Sequence, residues 1–280
     1  MDELAAKQVL VDFEIIALIA LFLGIAAFRI YRRYSPREEI PTNDFDGFDL
    51  VLMFFPAIMF LITPMLDLFA TKSQLESGKK SAEPGVGFLL FNIFYFLFVA
   101  VMTYGIVAWV RNRNVADLLG LRSRSLPSVV MCSIIGGISS VLICAWAIGN
   151  FSEDFLKTIF EGLSAQELVN QMKEKQSGLY FVLSVIAACI AAPIAEELLF
   201  RGYMYESVKA ATNPVFAAVI IGALFAVAHV NLPALVPLWA FSILLCLAYE
   251  WSGSLWVPIG MHAFFNGANI LLMQYPEAVQ

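Results

Sequence analysis

The chain is poor in the residues that soluble proteins display on their surfaces. Only 14% of its 280 residues are Asp, Glu, Lys or Arg, against about 25% in an average globular chain. Histidine is scarcer still, with two copies, His229 and His262. The four cysteines, Cys132, Cys144, Cys189 and Cys246, fall inside apolar runs and form no CxxC pair. That argues against a disulfide framework or a thiolate metal site and leaves them as small core residues. No lysine- or arginine-rich block is present, so nucleic acid is not an expected partner. There is no GxSxG elbow, no HExxH and no Ser-His-Asp order, and internal repeats and low-complexity tracts are missing as well.

What is there is hydrocarbon. Apolar residues make up 60% of the chain, well above the roughly 45–50% of a soluble domain. The composition implies an all-α, polytopic integral membrane protein, read as a single domain over 1–280. A lipid-crossing helix needs about 20 apolar residues. By that measure the segments at about 15–28, 50–69, 86–110, 126–150, 178–208, 213–230, 232–249 and 254–273 give about eight transmembrane helices. The first ends in Arg29, Arg32 and Arg33 with no small-residue cleavage site before them, so it reads as an uncleaved signal anchor. Gly136 and Gly137 offer a close-packing point in the fourth.

Residues 151–177 differ in kind. Phe155, Leu156, Ile159, Phe160 and Leu163 fall at helical spacing among Glu153, Asp154, Lys157 and Glu161, the pattern of an amphipathic linker lying in the membrane interface. Ser164 and Glu167 match a capping box for a second short helix. The linker separates N-terminal spans one to four (1–150) from spans five to eight (178–273). All nine arginines fall in loops or span ends that alternation assigns to one side, which the positive-inside rule makes cytoplasmic.

Charge inside the spans is concentrated in one stretch, AAPIAEELLFRGYMY, from Ala191 to Tyr205. A charged side chain near the bilayer centre costs roughly 2.5–3.5 kcal/mol on insertion scales, so an ionisable group kept there is a functional-site hypothesis. Positions four apart share a helix face, which pairs Glu197 with Arg201 and turns Glu196 about 100° away. Glu197 and Arg201 are expected to neutralise each other, leaving Glu196 for chemistry. Glu196 lies about 16 residues before the turn near Thr212–Pro214 and His229 about 17 after it. At a rise of about 1.5 Å per residue the two reach the same depth in an antiparallel hairpin. On the last span His262 and Asn266 are four apart on one face, with Asn269 continuing the stripe. Interhelical hydrogen bonding explains Asn266 and Asn269 adequately. It explains Glu196 poorly, because a carboxylate is a costly way to make one hydrogen bond in lipid. A carboxylate and an imidazole at one depth can activate water, and neutral donors nearby can stabilise the oxyanion formed on a peptide carbonyl.

Glu196-Glu197-x-x-x-Arg201, Phe225-x-x-x-His229 and His262-x-x-x-Asn266 together resemble the three-motif signature of the CAAX protease and bacteriocin-processing (CPBP, or Abi) family, intramembrane endopeptidases that include the Ras-converting CAAX prenyl protease. The resemblance covers about residues 178–273. It implies an eight-helix fold with a cavity open to lipid and proteolysis near the C-terminus of a membrane-associated protein or peptide, prenylated or not. By that similarity Glu196 and His229 activate water, His262 and Asn266 form the oxyanion site, and Glu197, Arg201 and Phe225 support them. The family is often labelled metalloprotease, and Glu196, His229 and His262 would make a zinc set with an open position. A metal-free mechanism is favoured, because Glu196 as a ligand leaves no separate base. The expected location is a prokaryotic plasma (inner) membrane.

Two other classes compete. Buried Glu and His also make the proton relay of a coupled transporter, but the inverted repeats that would favour it are missing. A non-catalytic adaptor or bacteriocin-immunity protein could carry the same motifs without turnover.

Overall fold

The computed structural model describes residues 45–62, 85–111, 114–122, 125–149, 178–231 and 233–274, which are helix and turn with no strand among them. We number the helices α1 (Gly47–Ile62), α2 (Val86–Arg111), α3 (Leu126–Ser140, continuing as wide π-helical turns over Val141–Ile148), α4 (Gly178–Ala211), α5 (Pro214–Ala228), α6 (Leu235–Ser252) and α7 (Trp256–Gln274). The architecture is all-α and of membrane type, as the composition requires.

Four helices, α2, α3, α4 and α6, are long and apolar enough to cross a membrane. The other three described helices are shorter or more polar. α1 and α5 are shorter apolar helices, and α7, at 19 residues, carries His262, Asn266, Asn269 and Gln274. The expected anchor at 15–28, the interfacial linker at 151–177 and the loops bearing the arginines of 29–37 lie outside the described residues. So does the end of the second expected span, beyond 62.

α4 is the post around which the others pack. From 191 to 209 every residue is buried except the half-buried Ile194, although this stretch holds five ionisable side chains of charged type. At 34 residues it would run about 50 Å as a straight α-helix, well beyond a ~30 Å hydrocarbon layer. Two π-helical stretches, Ala187–Ala191 and Leu198–Tyr205, break its regularity. α2 turns the other way: Phe91, Phe94, Phe98, Val101 and Trp109 are exposed, the pattern of a helix facing lipid.

Local chemistry sets the ends. Asp46 caps α1 in a reciprocal box with Asp49, and the buried Asp49 accepts a hydrogen bond from Tyr203 Oη at 3.3 Å, fastening α1 to α4. Asn213 caps α5 by accepting from the Phe216 N–H at 3.0 Å, with Pro214 in the first turn. Gly253, at φ 63°, closes α6 in the left-handed region that glycine enters without penalty. The stretch between α2 and α3 holds a single helical turn, Val115–Leu118. It also holds the start of α7: the Leu255 N–H donates to Leu119 O at 3.2 Å and Trp256 Nε1 to Leu121 O at 3.1 Å.

α7 then packs along α3 at backbone distance. A methyl group built on Gly136 would lie 2.5 Å from Met261 Sδ, and one on Gly137 2.6 Å from Phe264 Cδ1. The expected close-packing point is therefore real, and it holds the His262 helix against α3.

Candidate active site

Three helices bring the polar side chains of the late spans together. On α4 the four-residue spacing does what the helix period demands: Arg201 Nη1 donates to Glu197 Oε1 at 2.9 Å, with both side chains fully buried. The guanidinium lies over the Phe225 ring, its Cζ 4.6 Å from the centroid. Its other amino group, Nη2, donates to Ser242 on α6, to Oγ at 2.6 Å and to the carbonyl at 3.1 Å. A buried charge is tolerable only when its donors are used, and here α4, α5 and α6 share that task.

Glu196, one residue earlier, points to the two histidines. Its Oε2 is 3.8 Å from His229 Nε2 and 3.9 Å from His262 Nε2, and this buried oxygen accepts no hydrogen bond from a described residue. Both distances are too long for direct hydrogen bonds and are of the length that a water about 2.8 Å from each of two partners bridges. The depth matching read from the hairpin turn is thus met in space, and the last span delivers its imidazole to the same carboxylate.

The far nitrogens fix the rings. His229 Nδ1 lies 2.8 Å from the Phe225 carbonyl, which can only accept, so Nδ1 carries the hydrogen and Nε2 presents a lone pair toward Glu196. His229 ends α5, and Val230 beyond it has φ 47°, a left-handed conformation that a β-branched residue adopts at a cost. His262 Nδ1 lies 2.8 Å from Glu197 Oε1 and donates to that carboxylate, which therefore receives both Arg201 and His262. Phe225 is wedged among them, 4.6 Å from the His229 ring and 5.7 Å from that of His262. Phe241, stacked on Phe265 at 4.1 Å, meets His262 edge-on at 5.5 Å. His262 is buried while the His229 side chain keeps 29% exposure.

Asn266 is held differently from the others. Its Nδ2 donates to Ala188 O at 2.8 Å. In the π-helical stretch of α4 the Ala192 N–H bonds to Ala187 O, five residues back. The same register would give Ala188 O the N–H of residue 193, which is Pro193 and has none. The asparagine amide fills the place of that missing donor and retains a second N–H. Asn269 donates to Phe265 O at 3.0 Å within its own helix and takes no part in the cluster.

The spacing argument missed two features. Ser242 carries no signal in the sequence beyond being a hydroxyl in an apolar span. A second buried ionic group lies at the end of α4: Lys209 Nζ is 2.5 Å from Glu250 Oε1 and 3.8 Å from Glu206 Oε2, and Tyr205 Oη donates to Glu250 at 3.0 Å. The i,i+3 spacing of Glu206 and Lys209 could have flagged it.

Glu196, His229 and His262 have the donor chemistry of a two-histidine, one-carboxylate zinc centre. Among the described residues no group of three His, Cys, Asp or Glu side chains is already drawn together as a metal site.

With this geometry in hand, the segment can be compared with known proteins. Residues 178–268 match the family described as type II CAAX prenyl endopeptidase Rce1-like. The resemblance carried by the three motifs is therefore shown, and it spans α4 to α7. A Bacillus subtilis (strain 168) protein named "Putative membrane peptidase YdiL" is 29% identical over 34% of this chain and 38% of its own length. A second from the same organism, "Uncharacterized protein YyaK", is 35% identical over 31% of this chain and 33% of its own. The matched region thus spans under two fifths of either relative. No solved structure matches the chain. The Rce1-like segment holds Glu196, Glu197, Arg201, Phe225, His229, Ser242, His262 and Asn266, whereas α1 to α3 lie outside it.

Proposed function

We propose that the protein is an intramembrane endopeptidase that cuts a peptide bond near the C-terminus of a membrane-associated substrate. The observation that carries the reading is the convergence of Glu196 Oε2 with two imidazole Nε2 atoms at 3.8 and 3.9 Å inside an otherwise apolar bundle. The Rce1-like match over 178–268 and the peptidase name of one relative support it.

In this mechanism His229 Nε2 accepts a hydrogen bond from a water while Glu196 takes the water's other proton as its oxygen attacks the substrate carbonyl carbon. Glu196 later returns that proton to the leaving amide nitrogen, and the C–N bond breaks. The oxyanion is met by Asn266, through its second N–H, and by His262. The contact of His262 Nδ1–H with Glu197 orders the ring so that Nε2 faces the reacting carbonyl. Positioned general acid–base groups of this kind contribute about 10²- to 10⁴-fold, and each oxyanion donor about 10²- to 10³-fold. No step needs a metal.

The substrate class follows from the location of the site. Its catalytic carboxylate is buried among apolar helices, so the scissile bond must be brought there by a chain already held at the membrane, through a lipid group or an apolar tail. The prenyl endopeptidase description of the family and the bacterial relatives support a lipid-anchored peptide in a prokaryotic plasma membrane. Purified protein in lipid vesicles, given a prenylated and an unmodified peptide of one sequence, should release a C-terminal fragment, and Glu196→Ala should release none while keeping the wild-type melting temperature. Cleavage by Glu196→Ala at the wild-type rate would remove the proposal.

A further inference from the structure

We infer that Ser242, on the one helix of the Rce1-like segment that bears none of the three motifs, is a positioning residue for the histidine that faces Glu196. The inference deepens the proposed function and rests on that reading for its kinetic consequence, though not for its structural one.

The argument is a chain of charge-assisted hydrogen bonds, each buried. Ser242 Oγ accepts from Arg201 Nη2 at 2.6 Å and Ser242 O from the same nitrogen at 3.1 Å. Arg201 Nη1 donates to Glu197 Oε1 at 2.9 Å, and His262 Nδ1 donates to that same oxygen at 2.8 Å. His262 Nε2 then lies 3.9 Å from Glu196 Oε2. Ser242, Arg201 and Glu197 are each fully buried, so water cannot replace a lost partner. A planar guanidinium fixed at both amino groups has one orientation; without the Ser242 hydroxyl only the Ser242 carbonyl and the weakly accepting Cys246 thiol remain besides Glu197, and the group can pivot about the Nη1–Glu197 contact. Since one carboxylate oxygen receives both Arg201 and His262, a pivot there turns the imidazole.

None of the remaining neighbours can take over: the Cys246 thiol is a weak acceptor. The Phe225 ring beneath Cζ attracts the cation without fixing its in-plane rotation. The Ser242 carbonyl, at the longer distance, is also the natural acceptor for the next turn of α6. The hydroxyl is the contact that distinguishes Ser242 from the alanines and leucines around it in α6.

The two-histidine composition makes this testable without a substrate. Protein labelled with ¹⁵N at histidine alone gives two imidazoles, assigned through His229→Gln. The expected result is that Ser242→Ala shifts and broadens the His262 Nδ1–H signal, leaves that of His229 in place, and keeps the wild-type melting temperature within a few degrees. Ser242→Thr, which keeps the hydroxyl, returns the signal. In the cleavage assay Ser242→Ala lowers kcat about tenfold with KM unchanged, short of the roughly hundredfold that a full 1 Å misplacement costs. An unmoved His262 signal in Ser242→Ala, or equal shifts of both histidines, would overturn the inference. If the His262 signal responds as expected while wild-type protein cleaves no peptide, the positioning role stands and the protease reading fails.

Discussion

The Glu197–Arg201 pair lends itself to a quantitative test, because both side chains are fully buried and each is the other's charge partner at 2.9 Å. Removing one member leaves an uncompensated ion in a low-dielectric interior, which costs about 3–5 kcal/mol, whereas removing both costs little when the volume is kept. Arg201→Met strands Glu197 beside a single His262 donor. Glu197→Gln strands Arg201 on Ser242 and the Phe225 ring. Each single variant should lose about 3–5 kcal/mol, a large share of a 5–15 kcal/mol total, and at about 2–4 °C per kcal/mol the melting temperature should fall by about 6–20 °C. The double variant should recover most of that loss, giving a coupling of about 3 kcal/mol in the cycle. Buried Cys144 supplies the assay in a background with the other three cysteines replaced by Ala, since its free thiol reacts with a dye only as the bundle opens. Activity should stay lost in all three variants, because His262 has no carboxylate on Nδ1 in any variant lacking Glu197 and a displaced one in Arg201→Met. Additive losses in the double variant would refute the reasoning, as they would mean that the two side chains stabilise the bundle independently.

Other consequences follow from single contacts. Asn266→Ala removes the side-chain donor to the carbonyl of the half-buried Ala188 and should cost about 0.5–1.5 kcal/mol of stability, the net contribution of a hydrogen bond. Pro193→Ala supplies an N–H at the position the π-helical register calls for, so it should restore melting in the Asn266→Ala background; no recovery would mean that the carbonyl needs no partner. Cleavage should be unchanged after exhaustive chelation, and elemental analysis should find no stoichiometric zinc. Zinc at one per chain, with activity lost in chelator and regained on its return, would replace the metal-free account with one in which Glu196, His229 and His262 are ligands.

The features readable from sequence were those that depend on one helix or one hairpin. The Glu197–Arg201 pairing needs only the helix period, and the meeting of Glu196 with His229 needs only a turn whose place Pro214 and Asn213 mark. The three motifs then matched the family that residues 178–268 share. What stayed hidden depends on contacts between helices or on departures from the 3.6-residue period. The π-helical stretch before Pro193 alters which carbonyls find a backbone donor, and that turned Asn266 toward Ala188. Ser242 meets Arg201 across 41 positions of chain, with no pattern to announce it. Counting spans by length and hydropathy is least sharp at α5, which is short, and at α7, which carries polar side chains, and the count also draws on stretches outside the described residues.

The joint use of one water by Glu196 and His229 is tested most directly by the rates of Glu196→Gln, His229→Gln and the double variant on a single lipid-anchored peptide. Groups that act as a unit are strongly non-additive, so each single change should lower kcat/KM by about 10²- to 10⁴-fold and the double should be no slower than the worse single. Losses that multiply in the double variant would contradict the account, since the two side chains would then be contributing to separate steps.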